Sequence, residues 1–295
     1  MLTTSGADAA GGGPTLWAVD PSGRLTYIPT TIGTTSPYTP TIGIIEPVTS
    51  IGWANNIQNL DSATEPNSPG YGDIWPLGSI AAGTDIATTN PAASTGTISY
   101  AAGADGTPNG ATVFDGSTTA LATTPTTPPA PLTPPVDTSS SYTVSAWVNL
   151  NSTSANSVIA SESDNATAPI ADGLQLYYSA TSGSFAFGRH VADTAGAAFT
   201  AIYATTPATA GTWTHLVGVF NATTTTTTMT LYINGTQAAT GTYTGTLWTS
   251  NNSALQIGRG VNSGTFNQYA NAAIDQVALY STALTPTQIA ALNNP

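Results

Sequence analysis

Two carboxylates on one strand face, about 5–10 Å apart, can cleave a glycosidic bond as acid and base. On a β-strand that geometry needs an acidic i, i+2 pair, and the sequence contains one, Glu162-Ser-Asp164. It falls in Ser161–Thr167, a stretch rich in turn-forming residues, so the expectation is a solvated loop and no hydrolysis. Asp73 and Asp85 stand isolated. The two histidines, His190 and His215, are too far apart in sequence to supply the ligand spacing of a zinc site. His215 alternates with Trp213 and Val217, which predicts a hydrogen-bonded side chain in or beside a sheet; Trp147 and Trp213 are expected in the core. No G-x-S-x-G elbow or Ser-His-Asp order stands out.

Composition narrows the partners. Of 295 residues only 6% are charged, with no Lys and with Arg24, Arg189 and Arg259 as the sole basic side chains apart from histidine. The formal net charge of −12 argues against nucleic acid, whose phosphates need clustered cations to release counterions. It likewise disfavours anionic membranes, and no apolar run approaches the roughly 20 residues of a spanning helix. The surface is instead built from Thr, Ser, Asn, Gly and Ala, a usage that suits a bacterial chain of high genomic GC content. Absence of Cys removes disulfides and thiolate metal sites. Residues after Met1 lack the basic start and apolar centre of a signal peptide.

Hydrophobic periodicity predicts an all-β chain. Residues 1–13 are small and Gly-rich and read as a flexible tail. Residues 14–70 read as a small β segment: Thr15–Asp20 and Leu25–Ile28 flank a Pro-Ser-Gly-Arg turn, Pro47–Trp53 gives a third strand, and a fourth falls near Ile57–Leu60. A sheet of that size buries too little to be stable alone, so it is expected to lean on the second domain or another chain. From residue 71 to 295, short strands alternate with turn clusters, as in a sandwich. Tyr142–Leu150 places Val144, Ala146, Val148 and Leu150 on one face and Trp147 on the other. Further strands are Leu174–Tyr178, Ser184–His190, Trp213–Phe220, Leu255–Arg259 and Ala273–Tyr280. Asn234-Gly235 forms a type I′ hairpin turn, and Thr124–Pro135 is too Pro-rich for a central strand. One helix start is clear, Thr285-Pro-Thr-Gln288, a capping box with Pro at the first helical position; Ile289 and Leu292 should pack it down.

Phe114-Asp-Gly116, Tyr142–Val148, Trp213–Phe220, Leu231–Gly235, Ile257–Arg259, Ala273–Tyr280 and Ala283–Ile289 occur in the order found in the laminin-G-like, concanavalin A-like jelly roll of bacterial extracellular proteins, which the chain therefore resembles. The N-terminal segment resembles one blade of a secreted repeat propeller. The jelly-roll resemblance implies two stacked antiparallel sheets with a short C-terminal helix, recognition of glycans or proteins more often than catalysis, and in some members a calcium ion at one edge. It also implies that Asp115, at the end of the Phe-Asp-Gly strand, and Asp275, on the last strand, lie near each other; they are the candidate Ca2+ ligands. The competing expectation is that both carboxylates hydrogen-bond backbone amides.

Sugars stack on Trp and Tyr faces while amides, carboxylates and Arg satisfy their hydroxyls. The candidate ligand residues are Tyr177, Tyr178, Arg189, Trp248 with Asn251 and Asn252, and Tyr269 with Phe266. The resulting expectation is a non-catalytic extracellular module, on a secreted protein or a particle surface, that binds carbohydrate such as a cell-surface glycan, with neither nucleic-acid binding nor membrane insertion. A second expectation is a structural or decoration subunit of a larger secreted particle, filament or virion, assembled through the N-terminal β segment. A divergent glycoside hydrolase using Glu162 and Asp164 is the third.

Overall fold

The computed structural model describes short strands between residues 2 and 47, then residues 73–79, 91–123, 134–164, 171–249, 253–262 and 264–293. The chain divides into two compact units, Met1–Gln58 and Asn59–Pro295. The boundary thus lies earlier than the composition change near residue 70.

In the first unit, strands β1 (Leu2–Ala7), β2 (Pro14–Val19), β3 (Leu25–Ile28) and β6 (Glu46–Pro47) form an antiparallel sheet in that order. β4 (Thr30–Ile32) and β5 (Pro40–Ile42) form a separate pair. The predicted hairpin around Pro21–Arg24 is present, with Trp17 opposite Tyr27. Part of the flexible tail expected over residues 1–13 is a strand: Leu2–Ser5 pair with Thr15–Ala18, because Thr and Ser suit a pleated strand once a partner strand takes their backbone groups, and residues 8–13 lie outside the described residues. The strands expected over 48–53 and 57–60 lie outside the described residues.

The second unit holds two large antiparallel sheets. The eight-stranded sheet runs β19 (Thr236–Tyr243), β18 (Thr227–Ile233), β17 (Thr214–Ala222), β12 (Tyr142–Leu150), β23 (Asn271–Tyr280), β10 (Ala111–Asp115) and β9 (Ser99–Ala101), with β7 (Asp73–Trp75) also on β23. The seven-stranded sheet runs β16 (Phe199–Tyr203), β15 (Ser184–His190), β14 (Asp172–Ser179), β13 (Ser157–Asp164), β20 (Ser253–Ile257), β11 (Ala120–Thr123) and β8 (Ala92–Thr95). A short hairpin pairs β21 (Gly260–Asn262) with β22 (Thr265–Asn267).

The alternation read in β12 decides its orientation. Val144, Ala146, Val148 and Leu150 join Ile159, Leu174, Leu176 and Phe187 of the other sheet in one buried core. Trp147 lies on the opposite face, stacked on His215 with ring centroids 4.9 Å apart. It is therefore buried outside the main core, and Trp213 is half-buried just ahead of β17 rather than a core residue. His215 is buried and its Nε2 lies 2.8 Å from Ser145 Oγ, the hydrogen-bonded role expected of it. Asn234 and Gly235 both take positive φ, 49° and 74°, as a type I′ turn requires.

The outer face of the eight-stranded sheet is closed by the C-terminal segment. Helix α1 (Pro286–Leu292) has Thr285 as N-cap in a complete capping box with Gln288. Ile289 and Leu284 pack there against Val217, Val219, Tyr232, Ala278 and Tyr280.

One strand was missed. Ser157–Asp164 is β13, in the interior of the seven-stranded sheet, not the start of a solvated loop. Its polar side chains find internal partners: Ser161 donates to the Arg259 carbonyl at 3.0 Å, and Glu162 accepts from Ser253 at 2.8 Å.

Candidate binding site

The outer face of the seven-stranded sheet follows from the same period-two logic. Leu174, Leu176 and Tyr178 of β14 point into the core, so Gln175, Tyr177 and Ser179 face out. On β15 Phe185 and Phe187 point in, which turns Ala186, Gly188 and His190 outward. On β16 Ile202 packs toward the core, leaving Phe199, Ala201 and Tyr203 outward. Register then sets rows: Tyr177–Ala186–Tyr203, Gln175–Gly188–Ala201, and His190–Phe199.

Small residues thus occupy the middle of this face and large ones its walls. A cleft of about 320 Å³ results, lined by Gln175, Tyr177, His190, Phe199, Tyr203 and Gln268 among others. Gly188 is required here, because a Cβ would collide with the Phe199 ring that lies over it. Tyr177 meets Phe199 and Tyr203 edge-on at 5.9 and 6.4 Å, and its hydroxyl donates to that of Tyr203 at 3.2 Å. Phe199 and Tyr203 remain 36% and 46% exposed, which makes them the ring surfaces open to a ligand.

The polar groups of the cleft are held from below. The His190 Nδ1 accepts the Asp172 backbone N–H at 2.9 Å, so the neutral ring carries its proton on Nε2. Burial lowers the His190 pKa, which favours that neutral form. Asp172 Oδ2 accepts from Gln175 Nε2 at 2.8 Å and from the Val261 N–H at 2.9 Å, fixing Gln175 in place. Burial pushes the Asp172 carboxyl up to about 8, so it is protonated at neutral pH. Among the described residues, no carboxylate and no cationic side chain lines this cleft.

Of the expected ligand residues, Tyr177 lies in the cleft. Tyr178 is a core residue whose hydroxyl donates to the Thr153 carbonyl at 3.0 Å. Arg189 is fully buried: it donates to the carbonyls of Thr138 and Trp248, and the rings of Phe220, Tyr243 and Trp248 surround its guanidinium at 4.7, 5.2 and 5.3 Å. Trp248 turns inward with it, its indole donating to the His190 carbonyl at 2.9 Å. A guanidinium in an apolar interior needs carbonyls and ring faces around it, and these loops provide them. Asn251 and Asn252 lie outside the described residues. Phe266 is engaged by Arg259, 3.9 Å from its ring centroid. Tyr269 lines a neighbouring groove that includes Asp115.

The acidic candidates do not assemble. Glu162 is buried, and burial raises its carboxyl to about 8 despite the Ser253 hydrogen bond, so it does not face solvent as a catalytic partner for Asp164. Asp115 and Asp275 are not brought together: Asp115 pairs with Asn271, four residues from Asp275 along β23, or about 13 Å at roughly 3.3 Å per residue. Asp115 caps its own turn, accepting from the N–H groups of Ser117, Thr118 and Thr119 and from the Thr118 hydroxyl. Burial opposes ionisation slightly, but those hydrogen bonds hold this carboxyl far below the usual range. Asp275 accepts from the Ala104 N–H at 3.0 Å, and burial, reinforced by the charge of Asp105, lifts it to about 7. Two amide-capping carboxylates so far apart do not fit one calcium ion. Among the described residues no group of three or more His, Cys, Asp or Glu side chains converges as a metal site.

Sequence reasoning missed Gln175, Phe199 and Tyr203. Their signal is an aromatic at i and i+4 of a five-residue run, Phe-Thr-Ala-Ile-Tyr, in which the β-branched residues, not the rings, take the inward face.

Two facing antiparallel sheets around one apolar core define a jelly-roll sandwich. The sequence model of the concanavalin A-like lectin/glucanases superfamily, in its laminin-G form, matches residues 115–290, and the chain belongs to that family. Among solved structures it resembles domain 4 of AbnA, a GH43 extracellular arabinanase from Geobacillus stearothermophilus solved with arabinotriose. That match has a TM-score of 0.54 and 20% identity, and covers 75% of this chain and 97% of the other. It also resembles the binding domain of botulinum neurotoxin serotype C1, at a TM-score of 0.50 and 13% identity over 71% of this chain and 48% of the other. No curated protein matches significantly. Among the described residues, no helix is long and apolar enough to cross a membrane.

Proposed function

We propose that the second unit is a non-catalytic, extracellular carbohydrate-binding module that takes a neutral glycan on the outer face of the seven-stranded sheet. The observation that carries this reading is the pair of half-open rings, Phe199 and Tyr203, braced by buried Tyr177 above a floor of small residues. Such rings offer C–H-rich sugar faces a stacking surface, while His190 Nε2, Gln175 and Asn156 meet the hydroxyls. Among the described residues the cleft lining holds no acidic side chain, which supports binding over hydrolysis, and no cationic one, which supports a neutral ligand. The arabinotriose found in the AbnA domain is consistent with a neutral pentose oligomer, on a shared fold only.

A glycan array followed by calorimetry tests the reading. The intact chain should bind at least one class of neutral plant or microbial glycan, and Phe199→Ala with Tyr203→Ala should lower its affinity at least tenfold, or about 1.4 kcal/mol. Silence across a broad neutral array, or unaltered affinity in both variants, would sink it. Because Asp115 and Asp275 are separate and already capped, binding is expected to persist in EDTA; loss of binding restored by Ca2+ would overturn that expectation.

A further inference from the structure

We infer that the aromatic cleft is one half of a continuous groove and that its ligand is an extended neutral oligosaccharide rather than a terminal sugar, an inference that rests on the reading just given. A second groove of about 520 Å³ lies at the end of the sandwich and includes Asp115, Ser117, Ser154, Tyr269 and Asn271 in its lining. Asn156 and Gln268 line both this groove and the aromatic cleft, so the two are adjacent and meet at these residues. Each alone falls within the ~300–1,000 Å³ that single small-molecule sites occupy, so each has room for its own part of a ligand.

The junction is built, not incidental. Gln268 holds a φ of 52°, a conformation that non-glycine residues rarely keep unless their surroundings impose it. Its carbonyl is fixed by the Val158 N–H at 2.9 Å, and the next residue, Tyr269, makes a parallel bridge to Val158. Asn156 is fixed in the same way, its Oδ1 accepting the Ala180 N–H at 2.9 Å, which leaves the amide Nδ2 to donate toward a ligand. The two halves differ in chemistry as a bound chain requires. The cleft presents rings for a sugar face, and the second groove presents hydroxyls and amides for sugar edges. Among the described residues the second groove has no cationic side chain, and Asp115 keeps it negative, which disfavours sulfated or uronic-acid chains.

The test is a length series. Linear arabino-, xylo- and gluco-oligosaccharides of one to six units are titrated calorimetrically into the full chain and into Ser154→Trp, Tyr269→Ala and Tyr203→Ala. Ser154 is exposed, so the bulky replacement fills the polar groove without disturbing the core. In the series that binds, affinity should rise at least tenfold between two units and the longest chain. Ser154→Trp and Tyr269→Ala should abolish that rise while leaving the two-unit ligand unchanged, and Tyr203→Ala should weaken every length. Flat affinity with length, or full length dependence in Ser154→Trp, would overturn the extended groove while leaving the cleft as the binding site. Unchanged binding in Tyr203→Ala, or no binding by any series, would overturn the underlying reading and this inference with it.

Discussion

The two sheets of the second unit present outer faces of similar raw material and opposite fate. On the eight-stranded sheet, Val217, Val219, Tyr232, Ala278 and Tyr280 would form an apolar patch, but Leu284 and Ile289 of the C-terminal segment cover it. On the seven-stranded sheet, Tyr177, Phe199 and Tyr203 cluster around Ala186, Gly188 and Ala201, and Phe199 and Tyr203 stay open. The covered face mixes aliphatic residues with Tyr232 and Tyr280, packed closely under the C-terminal segment. The open face has rings with polar neighbours, which tolerate water until a ligand displaces it. The difference separates aromatics that hold the fold from aromatics that are free to recognise something.

That contrast can be broken first at the lid. Ile289→Ala should cost about 2–5 kcal/mol in urea unfolding, because it opens a cavity under α1, while glycan affinity measured on the folded protein stays unchanged. A loss of affinity equal to that of the Phe199 variant would show that the two faces are coupled.

Beneath the open face, protons decide the next effect. Asp172 and Glu162 are held at about 8 and Asp275 at about 7 by burial, whereas in the unfolded chain such carboxyls titrate near 4. Between those values the folded state binds more protons than the unfolded, so these groups make stability fall as pH rises. His190 and His215, lowered by burial (the latter to about 4), act in the opposite sense below about 6.5. Above pH 6.5 the carboxyls act unopposed, Asp275 to about pH 7 and Asp172 and Glu162 to about pH 8, and Tm should decline by the equivalent of up to ~1.4 kcal/mol per pH unit for each group still titrating. Asp172→Asn, which keeps the shape and removes the titration, should flatten that slope; an unchanged slope would reject Asp172 as a source.

Smaller effects sharpen the comparison further. Thr285→Ala removes the cap of the lid helix and should cost about 1 kcal/mol, seen as a lower urea midpoint with the same m-value. Tyr203→Ala, by contrast, should change stability by no more than ~0.5 kcal/mol even as it weakens binding, since its ring is half exposed.

Much of this architecture is legible in the chain itself. Strand β12 announces its faces through Val144, Ala146, Val148 and Leu150, the turn at Asn234-Gly235 dictates its hairpin, and the capping box at Thr285 starts its helix where expected. Legibility fails where polarity and burial part company. β13 carries Ser161, Glu162 and Ser163, all buried, and their partners lie on β20 and beyond, out of reach of any local pattern. The binding face is half legible for a related reason: Tyr177 stands out beside Asp172-Gly173, but Phe199 and Tyr203 join it only through the β14–β15–β16 register. Arg189 and Trp248, chosen for their chemistry, instead satisfy each other inside.

The position of β23 has a consequence for how the sandwich is reached in time. This last strand is flanked by β12 on one side and by β10 and β7 on the other, so Thr112 must find Ile274 and Ile74 must find Ala278 across most of the chain. Loops of that length close late, and topologies dominated by such distant pairings fold slowly. Until residues 271–280 arrive, β12 and β10 have no strand between them. On a ribosome, the growing chain would carry two unsatisfied strand edges from the emergence of β12 until residues 271–280 follow, the state in which β proteins are most prone to pair with the wrong neighbour.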